Sequence, residues 1–190
     1  MLHPDYPIRT DRLLLRPFRG DDLDGLYAIQ SRPAVARYLY WEARTLDEVR
    51  IVLAERIKQD RIAEEGEKLN LALQRRDTGA LIGDVNLVWL SRPHRQGEIG
   101  FVLHPDHHGQ GFAREAATEM LRLGFENLGL HRIIGRCDGR NRASARVLEK
   151  LGMRREAHLR ENEIVKGEWT DEMVYAMLRS EWARPGELTA

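Results

Sequence analysis

Apolar and polar positions along the chain follow two different periods. Some segments alternate or form short apolar runs, as strands do, whereas others repeat apolar residues at the spacing of a helix. Gly100 lies inside one strand-like segment and predicts a bulge there. The predicted strands cover residues 12–18, 69–74, 81–90, 96–103, 131–137, 153–160 and 168–178.

Two helices are predicted in the first third of the chain. Apolar residues at positions 23, 26 and 27 predict a short helix that is capped by an aspartate at position 21 or 22. Thr45 and Glu48 have the spacing of a capping box, and an apolar stripe follows them. The second helix is therefore predicted to run from Thr45 toward Glu65 and to end at Gly66.

Two further helices alternate with strands in the second half. Residues 113–127 form a strongly amphipathic segment, and a second helix begins at Asn141 and ends at Gly152. Helices thus alternate with strands in the middle of the chain, while strands pair as hairpins at both ends. This order predicts an α/β (α+β) protein with a mixed, twisted central sheet of about seven strands and helices on both faces.

The composition predicts one domain and limits its partners. No linker or repeat divides the sequence, so residues 1–183 are predicted to form a single domain and residues 184–190 a flexible tail. Lys+Arg and Asp+Glu both total 30, which favours neither a nucleic-acid partner nor a membrane surface. Cys137 is the only cysteine, and no apolar run resembles a signal peptide. We expect a cytoplasmic protein, either a monomer or a homodimer.

A glycine-containing segment, residues 104–113, joins a predicted strand to the helix that follows it. Free N–H groups and the helix dipole favour phosphate at a helix start, and Gly109 and Gly111 allow a close backbone approach. The sequence lacks the triphosphate-binding motif Gly-x-x-x-x-Gly-Lys-Ser/Thr and the full dinucleotide motif Gly-x-Gly-x-x-Gly. The segment indicates an anion site, with an ordinary tight connection as the alternative.

The residues around this segment resemble a known family. Glu-Ile-Gly-Phe-Val-Leu at 98–103, His-His-Gly-Gln-Gly-Phe-Ala at 107–113 and Arg-Glu-Ala at 114–116 are similar to the acetyl-coenzyme A (acetyl-CoA) motif of the GNAT superfamily of N-acetyltransferases. The resemblance implies the GNAT fold and direct transfer of an acetyl group from acetyl-CoA to an amine.

Three other motifs resemble the ribosomal-protein-alanine acetyltransferase (Rim) branch of that superfamily. They lie at residues 10–17, at residues 141–153 and at residues 167–171, where the sequence is Gly-Glu-Trp-Thr-Asp. This branch implies the N-terminal α-amine of a protein or peptide as the acceptor. Two alternatives stay open, namely a small-molecule amine such as an antibiotic or a polyamine, and a module that binds acetyl-CoA without turnover.

The resemblance also implies which residues bind the coenzyme. The backbone of one strand contacts the pantetheine arm, the amides of the loop bind the pyrophosphate, Arg114 is a possible charge partner, and Asn141 both caps its helix and contacts the arm. His108 stands where the family usually has Gln or Arg, so only its backbone is assigned. The strand residues are Phe101, Val102 and Leu103, and the loop residues are His108, Gly109, Gln110, Gly111, Phe112 and Ala113.

The catalytic candidates are Glu98 and Ser144. An amine is largely protonated at neutral pH, so a base assists its attack, and the resemblance implies Glu98, directly or through a water. Its alternatives are a solvated carboxylate or a partner of Arg95. Many family members carry a tyrosine acid seven residues after the asparagine, but Leu148 stands there, which makes Ser144 the candidate proton donor to the thiolate. A first-turn serine bonded to backbone is the alternative.

The histidines and Cys137 lack the spacing of a zinc site, so no metal is predicted.

Overall fold

The computed structural model describes residues 1–182, which form one mixed sheet with helices on both faces. The predicted tail, residues 184–190, lies outside the described residues. The strands are β1 (Ile8–Arg9), β2 (Leu13–Arg16), β3 (Lys68–Arg75), β4 (Leu81–Ser91), β5 (Gln96–Leu103), β6 (Arg132–Asp138), β7 (Arg154–Val165) and β8 (Glu168–Leu178). The helices are α1 (Leu23–Gln30), α2 (Pro33–Ala36), α3 (Leu46–Ile57), α4 (Phe112–Arg122) and α5 (Arg142–Lys150).

The sheet has the strand order β1-β2-β3-β4-β5-β6-β8-β7. Neighbouring strands are antiparallel except β5 and β6, which are joined by α4 and run parallel. The strand count exceeds the prediction of about seven because β1, a two-residue strand, pairs with Leu14 and Leu15 of β2. So short a segment has too few residues to show an alternating pattern.

Two separate cores cover the two faces of the sheet, as the alternation predicts. Leu71 and Leu73 of β3 belong to the larger core, beneath α4 and α5, whereas Ala72 between them faces α1 and α3 on the other side. The large core includes Ala116, Ala117, Met120 and Leu148, and the smaller one comprises Phe18, Leu26, Val49, Leu53 and Ala72. None of the described helices is long and apolar enough to cross a membrane.

The predicted aspartate cap of α1 is wrong. Asp22 precedes the helix, but its carboxylate accepts hydrogen bonds from the Arg16 guanidinium at 2.7 and 2.8 Å and from the Arg19 amide. Burial raises the pKa of Asp22, but these hydrogen bonds outweigh it and hold the pKa below its usual value. A buried arginine needs a carboxylate partner, and this requirement takes precedence over the cap.

The second predicted helix starts correctly and ends early. The capping box of Thr45 and Glu48 is present, but α3 ends at Ile57 rather than near Glu65. The chain leaves the helix because Ile62 pairs with Leu2 through two backbone hydrogen bonds and is completely buried. The predicted helix at 113–127 is confirmed as α4 followed by a π-helical turn at Leu123–Asn127.

The predicted bulge at Gly100 is also wrong. Gly100 lies in regular register opposite Asn86, and the register shift between β4 and β5 falls between Trp89 and Ser91. A Cβ at position 100 would lie 2.9 Å from Nδ2 of Asn86. A side chain here would therefore have to displace the end of the Asn86 side chain on the face that carries α1 and α3, and Gly100 does not have a positive φ.

Candidate active site

A cleft opens in the middle of the sheet where β5 and β6 separate. The two parallel strands pair only between Gln96–Glu98 and the segment from Arg132 to Ile134. Beyond Glu98 and as far as Leu103, none of the strands in the described part of the chain pairs with the edge of β5 that faces away from β4. Alternate backbone N–H and C=O groups along this edge are free to bind an extended chain. The predicted residues Phe101, Val102 and Leu103 all lie here.

The loop after β5 places backbone amides at the start of α4. Gly109 and Gly111 have φ values of +74° and +84°, in the left-handed region that favours glycine. Gly111 is the N-cap of α4, and no side chain forms a capping hydrogen bond there. The first-turn amides, including those of Phe112 and Ala113, therefore lack intrahelical acceptors and are available to an anion.

Contacts from the segment directly before β2 hold this loop in place. The Arg12 guanidinium lies 4.4 Å from the ring centroid of buried Phe112 and donates to the Gln110 carbonyl oxygen at 2.8 Å. Arg12 also pairs with Glu115 at 2.7 Å, and Thr10 donates to the same carboxylate at 2.6 Å. Burial raises the pKa of Glu115, but these hydrogen bonds outweigh it and lower the pKa overall. The prediction missed Arg12 because only the fold brings β2 beside the loop.

Most loop side chains bind to the loop itself. Nε2 of His108 lies 3.0 Å from the Leu103 carbonyl oxygen, and the Gln110 side chain donates to the Asp106 carbonyl oxygen at 2.8 Å. Arg114 is exposed on the outside of α4. The Leu103 carbonyl thus has a partner within the protein, and the free groups of the loop are mainly backbone amides.

Helix α5 packs beside β6 and begins directly after Asn141. The Asn141 side chain accepts a hydrogen bond from the Ser144 amide at 3.1 Å, which confirms the predicted cap. Leu148 is 2 % exposed and packs on Gly135 of β6, where a Cβ would lie 2.5 Å from Leu148 Cδ2. Ser144, one helical turn before Leu148, is half-buried. The position of the family's tyrosine is therefore occupied by a core leucine.

Glu98 belongs to a charged cluster on the cleft face of the sheet. Its partner is Arg136 on β6, whose Nη2 and Nε lie 3.1 and 3.2 Å from the carboxylate oxygens, so the alternative pairing with Arg95 is wrong. Arg136 Nη1 also lies 3.3 Å from Glu172 on β8. The hydrogen bond that Arg136 donates to Glu98 is the main cause of the raised pKa of Arg136. One guanidinium thus joins carboxylates from two strands.

A segment before α3 contacts the same cluster. The Tyr40 hydroxyl donates to Glu163 on β7, and the Asn162 side chain donates to Glu172 at 3.1 Å. Burial, and then the hydrogen bond with Glu163, raise the pKa of Tyr40 to about 12. Burial also raises the pKa of Glu172, and Arg136 offsets part of that effect. Sequence reasoning missed these residues because strand register is not visible in the sequence.

The described residues hold no group of three or more His, Cys, Asp or Glu side chains arranged for a metal ion. The rings of His104 and His107 lie 5.9 Å apart at the start of the loop. Burial raises the pKa of the Cys137 thiol to about 11, so little thiolate is present at neutral pH. The chemistry available here is that of carboxylates, a hydroxyl and backbone amides.

Comparison with known proteins gives one family. Residues 12–154 match the family described as acetyltransferase (GNAT) domain. The uncharacterized N-acetyltransferase YnaD of Bacillus subtilis is 37% identical over 92% of this chain and 98% of its own length. The spermidine N(1)-acetyltransferase of Vibrio cholerae is 31% identical over 56% of this chain and 62% of its own length. A GNAT-family acetyltransferase structure from Bacillus anthracis superimposes with a TM-score of 0.82 and 31% identity, covering 92% of this chain and 99% of its own.

Proposed function

The chain belongs to the GNAT acetyltransferase family, and we propose that it transfers the acetyl group of acetyl-CoA to the N-terminal α-amine of a protein or peptide. That it is an acetyl-CoA-dependent N-acetyltransferase follows from the family. The acceptor and the roles of individual residues are what we propose. The cleft beside Glu98 is the observation that carries the proposal, because it brings a free strand edge, an amide-lined loop and a carboxylate to one place.

The bound coenzyme supplies an acetyl thioester. In our proposal the amides of residues 108–113 bind its pyrophosphate, and the open edge of β5 at Phe101, Val102 and Leu103 aligns its arm. An N–H group on this edge is also fixed in advance where the oxyanion develops. Asn141 and Arg114 lie on the helices beside this path, where a backbone-capping amide and an exposed cation can assist.

In our proposal the side chains of Glu98 and Ser144 take part in proton transfer. Glu98 receives a proton from the acceptor ammonium, directly or through a water, so that the amine attacks in its neutral form. Ser144 donates a hydrogen bond to the departing thiolate. The hydroxyl of Ser144 has no hydrogen-bond partner among the described residues, and only its backbone amide is used by Asn141.

The rim of the cleft supports a polypeptide acceptor. Tyr40, Trp169 and Ile164 expose 69%, 60% and 60% of their surface, and Ile164 lies opposite Trp169 on the β7–β8 hairpin. Exposed aromatic and aliphatic side chains beside a cleft are typical of contact with another chain. The resemblance of residues 10–17, 141–153 and 167–171 to the Rim branch favours the same acceptor class.

A polyamine is the second candidate. Glu98 and Glu172 pair with Arg136 at the cleft, and Glu163 nearby accepts a hydrogen bond from Tyr40. A surface with three carboxylates attracts a small polycation. The spermidine-acetylating relative from Vibrio cholerae supports this acceptor.

An acceptor screen tests the proposal. Purified protein is incubated with acetyl-CoA and with peptides that have free α-amines, the same peptides blocked at the N-terminus, spermidine and an aminoglycoside. Thiol release gives the rate, and mass spectrometry locates the acetyl group. We expect the highest kcat/KM on free α-amines. A higher kcat/KM on spermidine would replace the peptide by the polyamine, and binding without thiol release on any amine would overturn enzymatic function.

A further inference from the structure

Glu172 is a nearly buried carboxylate whose charge is incompletely balanced. Its side chain is only 9 % exposed, and its contacts are the Arg136 Nη1 at 3.3 Å and the neutral amide of Asn162 at 3.1 Å. Arg136 directs its two shorter contacts to Glu98 instead. A buried carboxylate normally needs a close, fully hydrogen-bonded counterion. Glu172 shares its counterion, Arg136, with Glu98. This incomplete balance of charge favours an additional cation from outside the protein.

The surroundings of Glu172 strengthen the negative field. Glu98 on β5 and Glu163 on β7 face the same space, and both raise the pKa of Glu172. Tyr40 stays protonated because burial raises its pKa to about 12, so it contributes no charge. Lys166 contacts the Ala36 carbonyl oxygen and Glu42 rather than this cluster. Glu98 and Glu172 therefore share one guanidinium, and Glu163 adds a third carboxylate, which accepts from the neutral Tyr40 hydroxyl.

From this arrangement we infer that Glu172, assisted by Glu163, binds a second positive charge of the acceptor, separate from the amine that is acetylated. The inference rests on the proposed acetyltransferase function. The attacking amine must be neutral when it reacts, so it cannot balance a carboxylate at that moment. A second cationic group on the acceptor stays charged throughout the reaction and can therefore balance the carboxylate. Arg136 acts as a positioning residue, since it holds Glu98 and Glu172 at fixed places on either side of itself.

Two kinds of acceptor carry such a group, and both present the same chemistry. In a polyamine it is the second ammonium, and in a peptide it is a basic side chain close to the N-terminus. The predicted preference is therefore for dicationic over monocationic acceptors of equal size, whichever kind is the natural substrate. This preference depends on Glu172 and Glu163, and it does not depend on the loop that we propose for the coenzyme.

Matched acceptors test the inference. The acceptor pairs are 1,4-diaminobutane against 1-aminobutane, and a peptide with lysine at its second position against the same peptide with methionine there. The ratio of kcat/KM within each pair is measured for the natural protein, Glu172→Gln and Glu163→Gln. Glu168→Gln is the control, because Glu168 is an exposed carboxylate on the same strand that pairs with Arg140 outside the cluster. Coenzyme binding measured by calorimetry shows that each variant is folded.

We expect the natural protein to favour the dication in at least one pair, and Glu172→Gln to lower that ratio about 30-fold or more, the usual cost of removing one partner of a buried charge pair. Glu163→Gln lowers it less, and Glu168→Gln leaves it unchanged. The pair with the larger ratio identifies the kind of acceptor. Equal kcat/KM values within both pairs, or a ratio that Glu172→Gln does not change, would overturn the inference while leaving the acetyltransferase activity intact. Absence of turnover with every amine would instead overturn the proposed function.

Discussion

The loop that we propose for the coenzyme and the charged cluster are built in opposite ways. The proposed coenzyme loop, residues 104–113, is one continuous segment, and the groups we propose for binding are its backbone amides. The charged cluster, Tyr40, Glu98, Arg136, Glu163 and Glu172, joins side chains from four strands and one connecting segment. The contact between Tyr40 and Glu163 spans 123 positions of the sequence.

This difference predicts that coenzyme binding and acceptor recognition respond to different substitutions. A backbone site is expected to tolerate a change of side chain, such as His108 where the family usually has Gln or Arg, provided that the glycines keep their conformation. A site made of side chains changes its preference among acceptors when one residue is substituted, because each charged side chain interacts with the acceptor separately. The donor half of the reaction is therefore expected to resist substitution, and the acceptor half to depend on individual carboxylates.

The largest effect is expected from Glu98→Gln. If Glu98 is the base, its loss lowers kcat/KM for the amine about 100-fold, the lower range for general base catalysis. The loss is greatest at low pH, where more of the amine is protonated and a base is needed most. Steady-state rates across a pH series check this, and calorimetry checks that coenzyme affinity is unchanged.

Glutamine keeps a hydrogen-bond acceptor for Arg136, so a simple collapse of the cluster is not expected. Glu65→Gln serves as the control, because Glu65 is an exposed residue that accepts from the Arg92 amide far from the cleft. Unchanged rates at every pH in Glu98→Gln would remove Glu98 as the base. An equal loss of rate and of coenzyme affinity would show that the two regions are not separable.

A smaller effect, on the donor half alone, is expected from Gly111→Val. A β-branched residue at a φ of +84° is strained by about 1–3 kcal/mol, and its Cβ would lie 3.3 Å from Arg12 Nη2. The loop then leaves the binding conformation, and coenzyme affinity falls about tenfold or more. Calorimetry with coenzyme A measures the loss.

Gly129→Val is the matched control for backbone strain. Gly129 has a similar φ of +71°, with open space where a Cβ would lie, but it is on the far side of α4. Both variants should lose thermal stability, whereas only Gly111→Val should lose coenzyme affinity. Retained affinity in Gly111→Val would contradict the assignment of the loop.

The contrast between a continuous loop and a cluster of distant side chains also explains which features the sequence could predict. The loop, the cap at Asn141 and the capping box at Thr45 depend on neighbours a few positions apart, so their geometry can be read from spacing. Arg136 and Glu172 could not be found in this way, because their meeting depends on the register of β6 with β5 and β8. The Asp22 carboxylate bonds to Arg16, only six positions away, instead of to the helix, because the burial of Arg16 is not visible in the spacing.

The smallest effect separates two residues on one helix turn. Asn141→Ala removes a side-chain cap and should lower the free energy of unfolding by about 1 kcal/mol. Ser144→Ala removes a hydroxyl that bonds to nothing among the described residues, so stability should not fall, and kcat should drop if that hydroxyl serves the thiolate. Denaturant unfolding and kcat measured on both variants test the pair. A Ser144→Ala variant that loses stability but not kcat would show that the hydroxyl bonds to backbone in solution, and the proton donor would then have to come from the backbone or from water.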